Sequence, residues 1–369
     1  MKIVEVIPHI IAERLETSFG MSQFYWNTRS SCVVEIVTDE GVTGWGECFG
    51  LPAANRALIE SMYAPLLIGR DPTERVSLWE AMYQRGRTHK GIAITALSGV
   101  DIALWDLAGK IAGQPVYQLL GGKSDAVQTY ASSFYYGGLF DDDIEREAEH
   151  LLKQGFTAFK IKVGGRSIED DAERVRRVRA AVGPDARLAV DANRGYTAAE
   201  AIVFGQAISE QNIWWFEEPV PPEDLAGYAR VRAALTIPIA GGESEYTRWG
   251  FRDLLAGEYV DVVQPDTEAC GGIGEMLLIA GMASAFGAAM SPHVWGSAIA
   301  TATALHVISA LPHGTPSMTR ERPRMELDTS PNSLRDKLAF LDPGPIMRVP
   351  ERPGLGIEID RAGLDHFRV

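Results

Sequence analysis

The chain has 369 residues, 46% of them hydrophobic, and a formal charge of −14. That length carries two domains, or one large α/β barrel with additions. The acidic balance excludes nucleic acid as an expected partner but not a small anionic substrate, because a site can be locally cationic.

Cys32, Cys48 and Cys270 show no paired spacing, so neither a disulfide framework nor a zinc motif is expected, and a reducing cytoplasm suits them. The N-terminal "MKIVEVIPHIIAERLE" carries Glu5, Pro8 and Glu13 within its apolar run. It reads as neither a signal peptide nor a membrane span, and no membrane partner is expected.

In chain order, "KIVEVI" and "CVVEIVTDEGVTGWGE" alternate like strands, the second turning at Asp39-Glu40-Gly41. Residues 53 to 118 read as helices. Within them "ITALSGVDIALWDLAGK" (94–110) has apolar residues at helical spacing and small residues for close packing. Strands followed by helices suggest an α+β unit over 1–123, with "LLGGKSD" (119–125) as linker. From there short apolar runs alternate with amphipathic stretches such as 142–155 and 169–183. The runs are "VQTYAS", "AFKIKV", "RLAVDAN", "WWFEEP", "IPIAGGE", "YVDVVQPD", "AAMSPH" and "RMELD". This alternation predicts a closed parallel barrel over 124–327. An open doubly wound sheet is disfavoured, since no Gly-x-Gly-x-x-Gly follows a strand. The weakly polar run 275–290 reads as a buried helix against the sheet. Residues 328–369 are Pro-rich and irregular, with "GLGIEI" (354–359) expected as a strand returning to the first unit.

Barrel active sites lie at the C-terminal ends of the strands. There the sequence offers Lys160 and Lys162 on strand two, Asp191 with Asn193 on strand three, and Glu217 and Glu218 on strand four. Glu243, Asp266, His293 and Glu326 follow on strands five to eight. Asp191 to Glu217 is 26 residues, and Glu217 to Glu243 is 26 again. Three carboxylates at one mouth repel unless a cation joins them, and oxygen-only ligands favour a hard divalent ion such as Mg²⁺. The rival reading is that each carboxylate caps the next helix. Lys160 and Lys162 lie two apart and so share a face. Side by side and partly buried, they should depress each other's protonation, leaving Lys162 as a base near neutral pH and Lys160 to hold a substrate carboxylate. Asp266 can orient His293 as the opposing base. Glu326 either donates to a substrate carboxylate or is structural. A Lys base, a His base and a metal between them suit removal of a proton α to a carboxylate.

In this order "KIK" (160–162), "DAN" (191–193), "WFEEP" (215–219), "GGE" (241–243), "QPD" (264–266) and "SPH" (291–293) resemble the enolase superfamily, mandelate racemase subgroup. So do "GWGE" (44–47) and "ALSGVDIALWDLAGK" (96–110). The resemblance implies an α/β fold: a (β/α)₇β TIM-like barrel with an α+β capping domain formed by the N-terminal region and the C-terminal tail. It implies one Mg²⁺ per subunit, with Mn²⁺ an alternative, on Asp191, Glu217 and Glu243. Lys162 and His293, the latter paired with Asp266, would be the acid/base groups. Lys160, Asn193 and Glu326 would meet the substrate. Homo-oligomers are common in such barrels. "WFEEPVPPEDLAGYARVRA", "SPHVWGSAI" and "ERPGLGIEI" are similar to acid-sugar cycloisomerases and dehydratases, which suggests β-elimination from a small carboxylate substrate. A racemase or epimerase, or a non-catalytic binding protein, would share the same residues. Specificity is expected in a loop over the barrel mouth, "LETSFGMSQFYWNTR" (15–29), with Trp26 as a contact. "HKG" (89–91) and "SSFYYGG" (132–138) are further candidate contacts.

Overall fold

The computed structural model describes residues 1–86, 89–123, 126–311 and 322–369. The N-terminal strands β1 (Ile3–Gly20), β2 (Tyr25–Thr38) and β3 (Thr43–Cys48) form an antiparallel sheet, with the expected turn at Asp39–Gly41 between β2 and β3. Helices Pro52–Leu58, Arg75–Arg85 and Ile92–Ala112 follow. The last lies so close to β3 that a Cβ on Gly46 would stand 2.0 Å from the Gly99 carbonyl oxygen. Glycine at both positions lets strand and helix backbones touch, which is the packing that the small residues of 94–110 signalled. Ile92–Ala112 is long and apolar enough to cross a membrane, but 89% of its apolar window is buried within this protein.

Eight parallel strands then alternate with helices: β4 (Ala126–Ser133), β6 (Ala158–Lys162), β7 (Arg187–Asp191), β8 (Ile213–Glu217), β9 (Ile239–Gly241), β10 (Val262–Val263), β11 (Ala289–Met290) and β12 (Met325–Asp328). They curl in the order β11-β10-β9-β8-β7-β6-β4-β12, a TIM-like barrel beneath a capping unit. The short strand β5 (Tyr136–Gly137) leaves this set and pairs with β1. Period-two alternation sorts the barrel residues. Phe159, Ile161, Leu188, Val190 and Phe216 face outward into the helical layer. Tyr130, Ala158, Ala189, Trp215, Ala240 and Val262 fill the interior, small residues making room for two large rings.

Two expectations are corrected. Residues 15–29 are not a loop: β1 and β2 extend through most of them, with a tight turn in which Met21 N donates to Phe24 O. Residues 354–359 form no strand. Only Gly354 bridges, to Pro115, and the strand that does form, β13 (Ile346–Arg348), pairs antiparallel with the start of β4. The tail still reaches the capping sheet: Arg361 pairs with Glu35, and Val369 N donates to Ile10 O.

Candidate active site

Residues Lys162, Asp191 and Glu217 are adjacent in the ladder, Lys162 opposite Asp191 and Asp191 opposite Glu217. Register alone therefore sets them side by side in one layer inside the barrel. Glu243 lies just past β9 and completes the group, so that Asp191, Glu217 and Glu243 each offer an oxygen within 4.8 Å of the others. These carboxylates do not cap helices. The helix after β7 is capped by Thr197 with Glu200, and that after β8 by Asp224. The helix after β9 has no side-chain cap at all.

Both lysines point inward and are buried, Lys160 at 1% exposure and Lys162 at 6%. Lys162 Nζ donates to Asp191 Oδ2 at 2.5 Å. Lys160 Nζ lies 2.6 Å from Glu217 Oε1, 2.8 Å from Glu326 Oε1 and 3.4 Å from Asp191 Oδ2. The expected mutual depression of the two ammonium groups is therefore reversed. Burial and, at Lys162, the neighbouring Lys160 favour the neutral amine, but the surrounding carboxylates outweigh them and hold both lysines above their ordinary value. The sequence showed the two cations on one face but not how tightly anions would ring them.

His293 Nδ1 meets Asp266 Oδ2 at 2.6 Å, and its Nε2 lies 3.6 Å from Glu243 Oε2. Burial would lower the imidazole, but Glu243, Asp266 and Glu326 raise it to about 10. Strands β6 and β11 stand far apart in the sheet order, so Lys162 and His293 approach from different walls. Glu326 accepts from Tyr130 Oη at 3.2 Å. Burial raises its carboxyl, but Lys160 and the other cations hold it down at about 2. In this arrangement it is an acceptor, not the donor considered above. Asn193 does not continue the strand face. It sits past β7 in the left-handed region (φ 41°), where its N–H donates to Asp191 Oδ1 at 2.9 Å and its own Oδ1 accepts nothing.

A cavity of about 390 Å³ opens above this layer, lined by Lys162, Asn193, Glu243 and His293 below and by Phe24 and Trp26 above. Lys160, Asp191, Glu217, Asp266 and Glu326 lie deeper and do not line it. The β1–β2 tip is pinned over the mouth by Ser22 Oγ donating to Ala192 O (2.7 Å) and by Gln23 Nε2 donating to Arg194 O (2.8 Å). Trp26 packs against Phe19, Phe24 and Trp295, with ring centroids 5.2 to 5.3 Å apart. Neither of the other segments named as contacts lines the cavity: Tyr135 of 132–138 meets Phe19 edge-on, and His89 stacks on Tyr83.

Sequence reasoning missed several groups that hold the site. Trp215 Nε1 and Gln264 Nε2 both donate to Glu217 Oε2, at 2.9 and 2.6 Å. The signal for Trp215 was its two-residue offset from Glu217. Glu47 and Glu268 also line the cavity; "GWGE" flagged Glu47 as part of a motif without giving it a role, and nothing in the local pattern announced Glu268.

Charge supplies the test of whether a metal fits. Against Lys160, Lys162, His293 and Arg194, whose Nε lies 3.5 Å from Glu218 Oε2, stand six carboxylates, Asp191, Glu217, Glu218, Glu243, Asp266 and Glu326, all buried or nearly so. Burial, then Asp191, push the Glu217 carboxyl up to about 7, and Glu218 Oε2 accepts no hydrogen bond. The side chains alone do not neutralise the cluster. A buried Asp/Glu/Glu group with surplus negative charge suits a hard divalent cation.

Residues 6–121 match the family model of the mandelate racemase / muconate lactonizing enzyme N-terminal domain, and residues 143–363 match the enolase C-terminal domain-like model. The chain belongs to the enolase superfamily, in its mandelate racemase subgroup. Within that superfamily it is 40% identical to a D-galactarolactone cycloisomerase of Agrobacterium fabrum, over 100% of this chain and 99% of that protein. It is 39% identical to an arabinonate dehydratase of Saccharolobus solfataricus, over 90% and 89%. Among solved structures it is similar to the 3,6-anhydro-D-galactonate cycloisomerase of Zobellia galactanivorans (TM-score 0.90, 37% identity, 100% of both chains). A racemase from Streptomyces coelicolor with bound magnesium is also similar (TM-score 0.89, 28% identity, 100% of both chains). These superfamily members are enzymes of lyase or isomerase type, and so is this chain.

Proposed function

We propose that this protein removes the α-proton of a sugar-acid carboxylate and then expels a β-oxygen, as an acid-sugar cycloisomerase or dehydratase. The observation that carries the reading is convergence. Lys162 and His293 reach one cavity from different barrel walls, directly above the Asp191–Glu217–Glu243 cluster.

In this reading Asp191, Glu217 and Glu243 hold one Mg²⁺, the ion found in a racemase of the same fold. When bound, it supplies positive charge where negative charge develops on the substrate carboxylate. The chain's own residues do the rest. The carboxylates that keep Lys162 and His293 protonated include the three that would hold the cation, so a cation bound there would favour the neutral forms. One of Lys162 Nζ and His293 Nε2, in its neutral form, takes the α-proton, so the C–H bond breaks and its electron pair moves into the carboxylate system. The ammonium of Lys160, fixed by Glu217 and Glu326, adds positive potential from below. The returning electron pair then breaks the C–O bond at the β-carbon. The other acid/base group gives that oxygen a proton. In a dehydratase the oxygen leaves as water, and in a cycloisomerase it stays in the molecule as the opened ring. Asp266 holds Nδ1 of His293 so that Nε2 faces the cavity. The aromatic roof excludes water from the developing anion. The three buried thiols, Cys32, Cys48 and Cys270, fit a reducing cytoplasm as the place of action.

Incubation with a panel of acid sugars and lactones in ²H₂O tests this. Loss of water or ring opening is expected with deuterium at the β-carbon of the 2-keto-3-deoxy product, because the enol left by elimination takes its proton there as it becomes the ketone. Exchange with inversion and no elimination would move the protein to the racemase reading. No exchange with any member would leave only a binding role.

A further inference from the structure

The basic side chains in the cavity wall are Arg29, Lys162, Arg194 and His293. Lys162 and His293 are the acid/base pair of the proposed reaction. Arg29 is engaged elsewhere: it is tied to Asp328, Ser330 and the Pro331 carbonyl and lies over the Trp295 ring. Arg194 is held far more loosely. Its Nε donates no hydrogen bond, and its carboxylate partner among the described residues, Glu218 Oε2, stands 3.5 Å away, outside the usual N–H···O range. Its side chain is 32% exposed, so a ligand in the cavity can reach it.

The backbone beneath it is a second, independent observation. Asn193 and Arg194 are consecutive left-handed residues, with φ of 41° and 68°. Asparagine tolerates that region, whereas arginine seldom enters it. The turn is nevertheless fixed from both sides. Arg194 N donates to Glu218 O at 2.8 Å, and Gln23 Nε2 of the roof tip donates to Arg194 O at 2.8 Å. Gly195 N closes the turn on Ala192 O at 2.9 Å. A Cβ at 195 would stand 2.9 Å from Ser22 Cβ, so glycine there lets the roof seat on the turn. Glycine at 194 would make the same turn without strain. A side chain that the backbone accommodates only with strain, gripped by floor and roof and set in the cavity wall, points to use on a ligand.

We propose that Arg194 determines specificity: its guanidinium donates to oxygens at the acid oxidation level on the far end of the substrate, a second carboxylate or the carbonyl of its lactone. The proposal rests on the acid-sugar reading above and narrows it to aldarates and aldarolactones. A guanidinium presents its N–H groups in a planar fork that meets both oxygens of a carboxylate at once, and such charge-assisted pairs are the strong ones. A terminal hydroxymethyl group offers a single, weaker acceptor. The contact lies away from the α-carbon and is made alike in ground and transition states, so it acts on KM.

The test compares an aldarate, its lactone and the aldonate of the same configuration. Wild-type protein is expected to favour the aldarate or the lactone over the aldonate by at least about tenfold in kcat/KM. Arg194→Met should raise KM for the favoured substrate about thirtyfold, the size of a lost charge-assisted pair, and at least about ten times more than it raises KM for the aldonate. The preference then collapses. Arg194→Lys keeps the charge without the fork and should recover part of the loss. A larger loss on the aldarate identifies the carboxylate as the partner, and a larger loss on the lactone identifies the carbonyl. A merely structural arginine would weaken acid and aldonate by the same factor, and that result overturns the proposal, as does a wild-type preference for the aldonate. If Arg194→Met does not fold, Arg194→Gly, which suits the left-handed turn, carries the same comparison. The two levels fail differently: turnover of aldonates alone sinks this inference, and neither turnover nor exchange with any acid sugar sinks the functional reading beneath it.

Discussion

The floor of the cavity is charged and the roof is aromatic, and the two are held by different forces. Lys162, Asp191 and Glu217 take their places from backbone ladders between neighbouring strands. Trp26 and Phe24 take theirs from ring contacts and from Ser22 and Gln23, which reach loop residues about 170 positions away. A ladder fixes a side chain's direction whatever the side chain is. A roof made of side-chain contacts changes with each substitution. The floor should therefore carry chemistry that tolerates little change, and the roof should carry selectivity.

The largest effects should come from the floor. Lys162→Ala and His293→Asn are each expected to lower kcat by at least about 10³-fold, with the far-ultraviolet circular dichroism unchanged, since neither side chain sets the register of its strand. Wild-type turnover in either variant would remove that residue from the acid/base pair.

Metal removal should follow. Chelation is expected to abolish activity and lower Tm, because carboxylates that a cation had bridged then repel inside the barrel. Restoring Mg²⁺ to about 100 Kd should return about 2.7 kcal/mol of stability. Glu217→Gln should flatten that rise in Tm while leaving a folded protein. A metal response that survives the substitution would place the ion elsewhere.

How much of this was legible in the sequence follows the same division. Strand alternation and the repeated 26-residue spacing revealed the floor, because a parallel ladder converts sequence offset directly into position. Asn193 was read onto the strand face and is in fact curled past it, since nothing in "DAN" announces a left-handed residue. The roof was read as a loop. Its length as a hairpin depends on pairing with β2 and on β5, a partner more than 100 residues away. Glu268 was silent for a similar reason: its environment is assembled from β3, the loop after β10 and the start of a late helix. The ion-pair ring around the lysines reversed the expected direction of their titration, because pairwise reasoning along one strand omitted charges delivered by β7, β8 and β12. Residues 312–321, within the segment leading to "RMELD", lie outside the described residues, as do 124 and 125 of the expected linker.

A smaller effect is expected at the roof. Trp26→Ala removes a ring that touches three others but no group of the floor. It should raise KM about tenfold and change kcat by less than about threefold, since such a contact is made equally in ground and transition states. A fall in kcat comparable to that of Lys162→Ala would give Trp26 a part in the chemistry and break the division between floor and roof.

The smallest effect lies outside the cavity, where the tail returns to the capping sheet. Glu35 is buried in β2, where it meets His9 Nε2 at 2.9 Å and both terminal nitrogens of Arg361. Burial alone would raise its carboxyl, but His9 and Arg361 outweigh that and hold it at about 2, against an ordinary 4.5. Between those values the unfolded chain binds a proton that the folded one does not. The pairing therefore stabilises fully above pH 4.5 and fades as the pH falls toward 2. Arg361 is 57% exposed, so water screens much of the attraction, and about 1–2 kcal/mol is expected at neutral pH. Glu35→Gln cannot titrate. The gap between wild type and variant in urea midpoint should thus be widest near pH 7 and shrink steadily below about pH 4.5. A gap that stays constant to pH 3 would mean that Glu35 holds the tail by packing and neutral hydrogen bonds, and that charge contributes as little here as it does in the aromatic roof.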